Sequence, residues 1–233
     1  MTPATSFLTL DAPLILASRS PRRIALLREL GLPFEVFPSD VQEQLTPGER
    51  PDVLAMEAAR LKAEDVARRF PDRLVLGADT VVYLDDRMQC GGAARCAPAG
   101  FVLLGKPADR TEARAMLRAL RNRWHGVVTG LCLTVPGRVA ETAVEATRVR
   151  MSDFSDEELE RYLATDEPLD KAGAYGIQGE AARLIEAIDG DYYNVVGLPL
   201  RLFLAMLGHW VAADGLVIPP LPERFAKPAD QPD

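Results

Sequence analysis

The stretch Leu14-Ile-Leu-Ala-Ser-Arg-Ser-Pro-Arg-Arg23 decides how the rest of the chain is read. Leu14 to Ala17 is an apolar run of the length of a short buried strand. Ser18-Arg-Ser-Pro-Arg-Arg23 breaks it, and Ile24, Leu27 and Leu30 then recur at helical spacing. Ser20 is a favoured N-cap residue, and Pro21 suits the first helical position, where an N–H would find no partner in any case. Gly31 supplies the C-terminal stop. A strand, a tight loop and a helix therefore open the fold.

Working outward, Phe34 to Phe37 reads as a second strand and Asp52 to Phe70 as a long helix with Leu54, Ala58, Leu61 and Val66 inward. Leu74 to Leu84 reads as a central strand interrupted by Gly77-Ala-Asp-Thr80. Residues 85–100, with Cys90 and Cys96, lack a period and read as an irregular hairpin insertion. A helix is expected over Thr111 to Arg121, paired strands over Val127 to Val135 and Glu141 to Met151, and a strand over Arg183 to Ile188. Ser155-Asp-Glu-Glu158 is a capping box opening a helix to about Ala164, and Gly197-Leu-Pro199 opens a last helix through Leu207. Strands interleaved with helices give an α/β class with mixed strand directions. One domain is expected over residues 1–217, with a frayed Pro-rich tail over 218–233.

The chain has 233 residues and a formal net charge of -7, which argues against a main role in binding nucleic acid. No apolar run approaches the roughly 20 residues of a membrane span, and residues 1–13 do not read as a secretory signal. Three cysteines without a Cys-x-x-Cys pair, and only two histidines far apart, argue against structural zinc and for free thiols in a reducing cytoplasm.

Several places are suited to chemistry. Ser18 to Arg23 combines hydroxyls, guanidiniums and the N–H groups of a helix start, an anion-binding set unless it is merely a capped helix with solvated arginines. Asp79 interrupts an apolar strand, where a carboxylate must be paired, metal-bound or at a cleft; the plainer alternative is a turn aspartate capping its own backbone. Lys62 lies between Ala58 and Val66 on a helix face, Lys106 between Gly105 and Pro107, and Gln178 between glycines. Taken singly, each is more simply a snorkelling stem or a solvated turn residue. Asp170-Lys171 reads as a surface ion pair unless its loop closes on a cleft. There is no P-loop, nucleophile elbow or dinucleotide fingerprint, so carboxylates and cations must carry any chemistry, as in metal-assisted phosphate reactions.

Leu16-Ala-Ser-Arg-Ser-Pro-Arg-Arg23, Gly77-Ala-Asp-Thr-Val-Val82, Leu104-Gly-Lys-Pro107, Glu167-Pro-Leu-Asp-Lys-Ala-Gly-Ala-Tyr-Gly-Ile-Gln-Gly179 and Asn194-Val-Val-Gly-Leu-Pro199 together resemble the Maf family of nucleoside triphosphate pyrophosphatases. The resemblance implies a Maf/ITPase-like α/β fold, a mixed twisted sheet with flanking helices and two lobes around a central cleft, often as a homodimer. It implies hydrolysis of a nucleoside triphosphate to the monophosphate and pyrophosphate with a divalent cation, magnesium or manganese. Asp79 would activate water or ligate the metal, and Glu43 would be a metal ligand. Ser18, Arg22, Arg23, Lys62, Thr80, Lys106 and Gln178 would contact substrate, with Arg22, Thr80 and Gln178 at the positions of base choice. Thr80 and Ile177-Gln-Gly179 resemble the dTTP and UTP branch. A nucleotide-binding regulator of cell division with little turnover is the alternative. A nucleotidyltransferase would need a second-substrate site that the sequence does not offer. The long 85–100 segment, Arg121-Asn-Arg123 and Gln42 depart from the family pattern.

Overall fold

The computed structural model describes residues 8–9, 13–41, 49–85, 100–214 and 216–217. Gln42 and Glu43, most of the expected insertion with Cys90 and Cys96, and the expected tail lie outside the described residues. The strands are β1 (Leu8–Thr9), β2 (Leu14–Leu16), β3 (Phe34–Val36), β4 (Val75–Asp85), β5 (Phe101–Leu104), β6 (Trp124–Thr134), β7 (Glu141–Met151), β8 (Ile185–Asp189) and β9 (Leu216–Val217). The helices are α1 (Pro21–Glu29), α2 (Pro51–Ala67), α3 (Arg110–Leu120), α4 (Asp156–Leu163), α5 (Tyr192–Val196) and α6 (Leu200–Asp214).

Seven strands form one mixed sheet in the order β3-β2-β4-β6-β7-β8, with β5 also paired to β4. β2 runs parallel to β3 and β4, and the β4–β6, β6–β7, β7–β8 and β4–β5 pairs are antiparallel. β1 and β9 pair in parallel as a separate ribbon. The α/β class with mixed strand directions is therefore as the sequence predicts.

On the face of β4 and β6 turned away from α2 lie two apolar cores. Leu76 and Ala78 of β4, with Leu131 and Leu133 of β6, join α1 and α6 residues such as Leu27 and Phe203. Val82 and Leu84, with Val127, join α3 and α4 residues such as Leu117 and Leu159. Thr80 falls at the seam between these cores, and Asp79 stands on the opposite face of β4, between Val75 and Val81, which pack against α2. The two cores thus share a pair of strands, and polar side chains stand where one apolar body gives way to the next.

Local rules account for most element ends. Asp109 accepts hydrogen bonds from the N–H groups of Thr111 and Glu112 at the start of α3. The capping box of α4 is present in full, from Ser155 and Glu158. Gly31 takes φ +70° just past α1, a conformation that favours glycine. The Ser20 side chain does not cap α1, however; the Ser18 hydroxyl accepts the Ser20 N–H at 3.3 Å instead.

Two expectations are corrected. Gly77-Ala-Asp-Thr80 does not interrupt β4, because all four residues pair with Thr129 to Cys132 of β6. Only the opposite edge of β4 changes partner, from β2 through Leu76 to β5 from Val82. The inward face of α2 is also different: Ala55, Ala59, Ala63 and Val66 are buried, whereas Leu61 is exposed. The reason is distance. A Cβ at Gly77 would lie 2.1 Å from the Ala59 carbonyl oxygen, and one at Gly130 would lie 2.3 Å from the Ala55 backbone. α2 rests directly on the sheet, with alanines at its closest approach to Gly77 and Gly130, and Leu61 is turned to solvent while Leu54 is only partly buried.

Gly130→Val should accordingly destabilise the protein by about 3 kcal/mol, because the added atoms meet backbone that cannot swing away. Chemical denaturation measures this. An unchanged midpoint would show that α2 can lift from the sheet.

Candidate active site

The change of partner along β4 makes the site. Between Leu76 and Val82 one edge of β4 is paired to neither β2 nor β5. A cleft of about 540 Å³ opens there, a volume typical of small-molecule sites. Ser18 to Arg23 approach from the β2–α1 loop, Lys62 from α2, Leu103 to Lys106 from the end of β5, and Asp170 to Ala172 with Tyr175 to Ile177 from the loop before β8.

Asp79 is buried at the floor. Its Oδ1 accepts a 2.6 Å hydrogen bond from Lys62 Nζ, and the two side chains are 9% and 11% exposed. A buried carboxylate held against an ammonium meets the need for charge compensation. The close seating of α2 puts Lys62 within that reach. The cleft is lined by six cationic side chains, Arg19, Arg22, Arg23, Lys62, Lys106 and Lys171, against the carboxylates of Asp40, Asp79 and Asp170. This local excess of positive charge stands out in a chain of net charge -7. The N-terminal end of α1 opens on the same space, adding N–H groups suited to an anion.

The expected site residues divide into three groups. Ser18, Arg22, Lys62, Asp79, Thr80 and Lys106 all line the cleft. Arg23 lines it too but is buried and engaged with protein: Nε donates to the Gly197 carbonyl at 2.8 Å, Nη1 to Ser18 Oγ at 3.1 Å and Nη2 to Thr80 Oγ1 at 3.0 Å. Gln178 is exposed and is not brought to the cleft wall; its neighbour Ile177 is. Glu43 lies outside the described residues.

Other cleft residues are ones the sequence reading left aside. The Asp170–Lys171 loop does close on the cleft. Lys171 Nζ donates to Asp170 Oδ1 at 2.6 Å and to the Glu167 carbonyl at 2.7 Å. Asp170 also stands 3.7 Å from Arg22 Nη1, so this loop meets the first turn of α1 through an ion pair. The Gly173 N–H donates to the Gly105 carbonyl, tying the loop to the segment that carries Lys106. Deeper in, Tyr175 Oη and His125 Nε2 are 2.7 Å apart. Burial pushes the His125 pKa down to about 3, so that ring is neutral at ordinary pH. The sequence signal for this group was faint: a histidine in an apolar strand and a tyrosine among glycines.

Among the described residues no group of three or more histidine, cysteine, aspartate or glutamate side chains could hold a metal. The donor set still suits a divalent cation that arrives with a polyphosphate, since magnesium is commonly held by one or two carboxylates plus phosphate oxygens. Asp79 would supply one such carboxylate. No helix among the described residues is long and apolar enough to cross a membrane.

Comparison with known proteins places the chain among its relatives. A dTTP/UTP pyrophosphatase of Halalkalibacterium halodurans is 48% identical over 188 residues, covering 81% of this chain and 90% of that protein. A dTTP/UTP pyrophosphatase of Symbiobacterium thermophilum is 48% identical over 194 residues, covering 83% and 92%. The solved Ham1 protein of Coxiella burnetii aligns with a TM-score of 0.48 at 15% identity, covering 84% of this chain and 98% of that one. The sequence profile of the family described as Maf-like protein matches residues 13–210. With that match spanning most of its length, the chain belongs to the Maf family.

Proposed function

We propose that the protein is a nucleoside triphosphate pyrophosphatase that hydrolyses dTTP and UTP to the monophosphate and pyrophosphate. The observation that carries the reading is a buried aspartate, Asp79, paired with Lys62 on the floor of a cleft whose walls are rich in cations. The names of the relatives at 48% identity supply the substrates.

In this reading a water attacks the α-phosphorus and Asp79 takes its proton. Lys62 holds the Asp79 carboxylate in place at Oδ1. Arg22, Lys106 and Lys171 surround the triphosphate, and the α1 N-terminus supports one of its phosphoryl groups. Fixed cations stabilise charge that grows on the phosphoryl oxygens without reorganising during the step. A divalent cation, held by Asp79 and Glu43, would neutralise further charge on the triphosphate when bound. Arg23 positions Ser18, Thr80 and the Gly197 carbonyl rather than taking a phosphate itself. Thr80 meets the base.

The test is pyrophosphate release by the full chain with magnesium or manganese from UTP, dTTP, CTP, ATP and GTP. Release from UTP and dTTP well above the others is expected. Release chiefly from a purine triphosphate would keep the chemistry and overturn the substrate assignment. Binding without release from any of them would instead make the protein a nucleotide-binding regulator.

A further inference from the structure

Thr129 does not line the cleft. It is fully buried on β6, directly opposite Thr80 in the β4–β6 register, with the two hydroxyl oxygens 2.9 Å apart. Three contacts decide where the hydrogens of this pair lie. The Thr129 hydroxyl is 3.1 Å from the Asn194 main-chain carbonyl, which can only accept, so the Thr129 hydrogen is committed there. The Arg23 guanidinium can only donate, and it gives its Nη2–H to Thr80 Oγ1 at 3.0 Å. The hydrogen between the two threonines must then be that of Thr80.

The acceptor at the end of this relay is itself fixed. The Asn194 carbonyl also receives the Gly197 N–H at 3.0 Å. Asn194 Nδ2 donates to the Val127 carbonyl at 3.0 Å and to Thr147 Oγ1 at 2.9 Å, and its N–H is bound by Asp191. Asn194 is fully buried, so no solvent competes for these groups.

A hydroxyl has one hydrogen and two lone pairs. Thr80 gives its hydrogen to Thr129 and one lone pair to Arg23, and keeps one lone pair. We infer that Thr129 is a positioning residue that turns Thr80 into an acceptor-only group toward the cleft, so that the site selects a base presenting N–H at the contacted edge. With ring nitrogen N3 as the contacted atom, uracil and thymine present N–H, whereas cytosine, whose N–H lies on the exocyclic N4, presents a bare ring nitrogen that would face the Thr80 oxygen lone pair to lone pair. The discrimination rests on hydrogen polarity, because the rings of uracil and cytosine are the same size. The inference rests on the pyrimidine triphosphate reading of the cleft.

Thr129→Val removes the acceptor at position 129 while keeping the side-chain shape, and so releases the Thr80 hydrogen to turn toward the ligand. The measurement is calorimetric binding of α,β-methylene-UTP and α,β-methylene-CTP to the full chain with magnesium, which requires no turnover. The wild type should favour the uridine compound. Thr129→Val should lower that preference about tenfold, the size expected when one polar contact ceases to discriminate. Thr129→Ser, which restores the hydroxyl, should retain the preference; a packing role alone would not make the ratio follow the hydroxyl. If valine prevents folding, Thr129→Ala removes the same acceptor and should give the same fall.

A preference that stays within about twofold of wild type in a folded variant without the hydroxyl overturns the inference, since one lost discriminating contact exceeds that. So does a wild type without preference for the uridine compound. Pyrophosphate release from UTP is followed separately. Its loss in the wild type, with the binding ratios as expected, would sink the hydrolytic reading and leave the role of Thr129 standing.

Discussion

Asp79→Asn should lower kcat for UTP by about a thousandfold, the middle of the range for loss of a general base. The substitution is nearly isosteric. The amide oxygen can still accept from Lys62 Nζ where the carboxylate accepts at 2.6 Å, so the floor of the cleft keeps its shape. What disappears is the basic carboxylate that, in the proposed mechanism, takes the proton from water and helps to hold the divalent cation. Removal of one negative charge from a cation-lined cleft also should not weaken triphosphate binding in the absence of metal. The expected result is therefore a protein that folds, with stability lost because the mostly buried Lys62 ammonium is left without its counter-charge, that binds nucleotide and that releases almost no pyrophosphate. A kcat within about tenfold of wild type would remove Asp79 from the proton transfer, because a positioned base contributes more than that.

Lys62→Met should show a large loss of stability together with a large loss of activity. The Lys62–Asp79 contact joins two mostly buried side chains, and removing one partner of such a pair costs about 3 kcal/mol or more. The methionine fills the space of the stem, so the loss reports the charge and not a cavity. Chemical denaturation of the two single variants and of Lys62→Met with Asp79→Asn makes a double-mutant cycle. The double variant should regain much of the stability, because the asparagine carries no charge to compensate, yet remain inactive. Additive losses would show that the pair is not energetically coupled.

Much of the fold was legible because its signals are local. Pro21 and Gly31 bound α1, Ser155 and Glu158 box the start of α4, and the alternation from Glu141 to Met151 matches β7 residue for residue. α5 and the ribbon of β1 with β9 had no comparable pattern: the first is five residues long and the strands of the second have two each. The face of α2 was misread for a different reason. Hydrophobicity ranks Leu54 and Leu61 above the alanines, but Gly77 and Gly130 lower the sheet surface so far that alanines stand at the closest approach to it.

The site was legible in its residues and not in its arrangement. The order of motifs from Leu16 to Pro199 by itself determined the family. Arg22 and Arg23 read alike in sequence, yet one faces the cleft half-exposed and the other is buried with its donors directed at Ser18, Thr80 and Gly197. Asp170 and Lys171 became cleft residues only because a loop more than 140 residues from the first motif folds back beside it. Thr129 entered the argument only through its register with Thr80 across β4 and β6. Composition and local pattern record which groups are present and which backbone they favour. The direction of a hydrogen bond depends on which donor and acceptor meet, and those meetings are made by strand register and helix seating over long sequence distances.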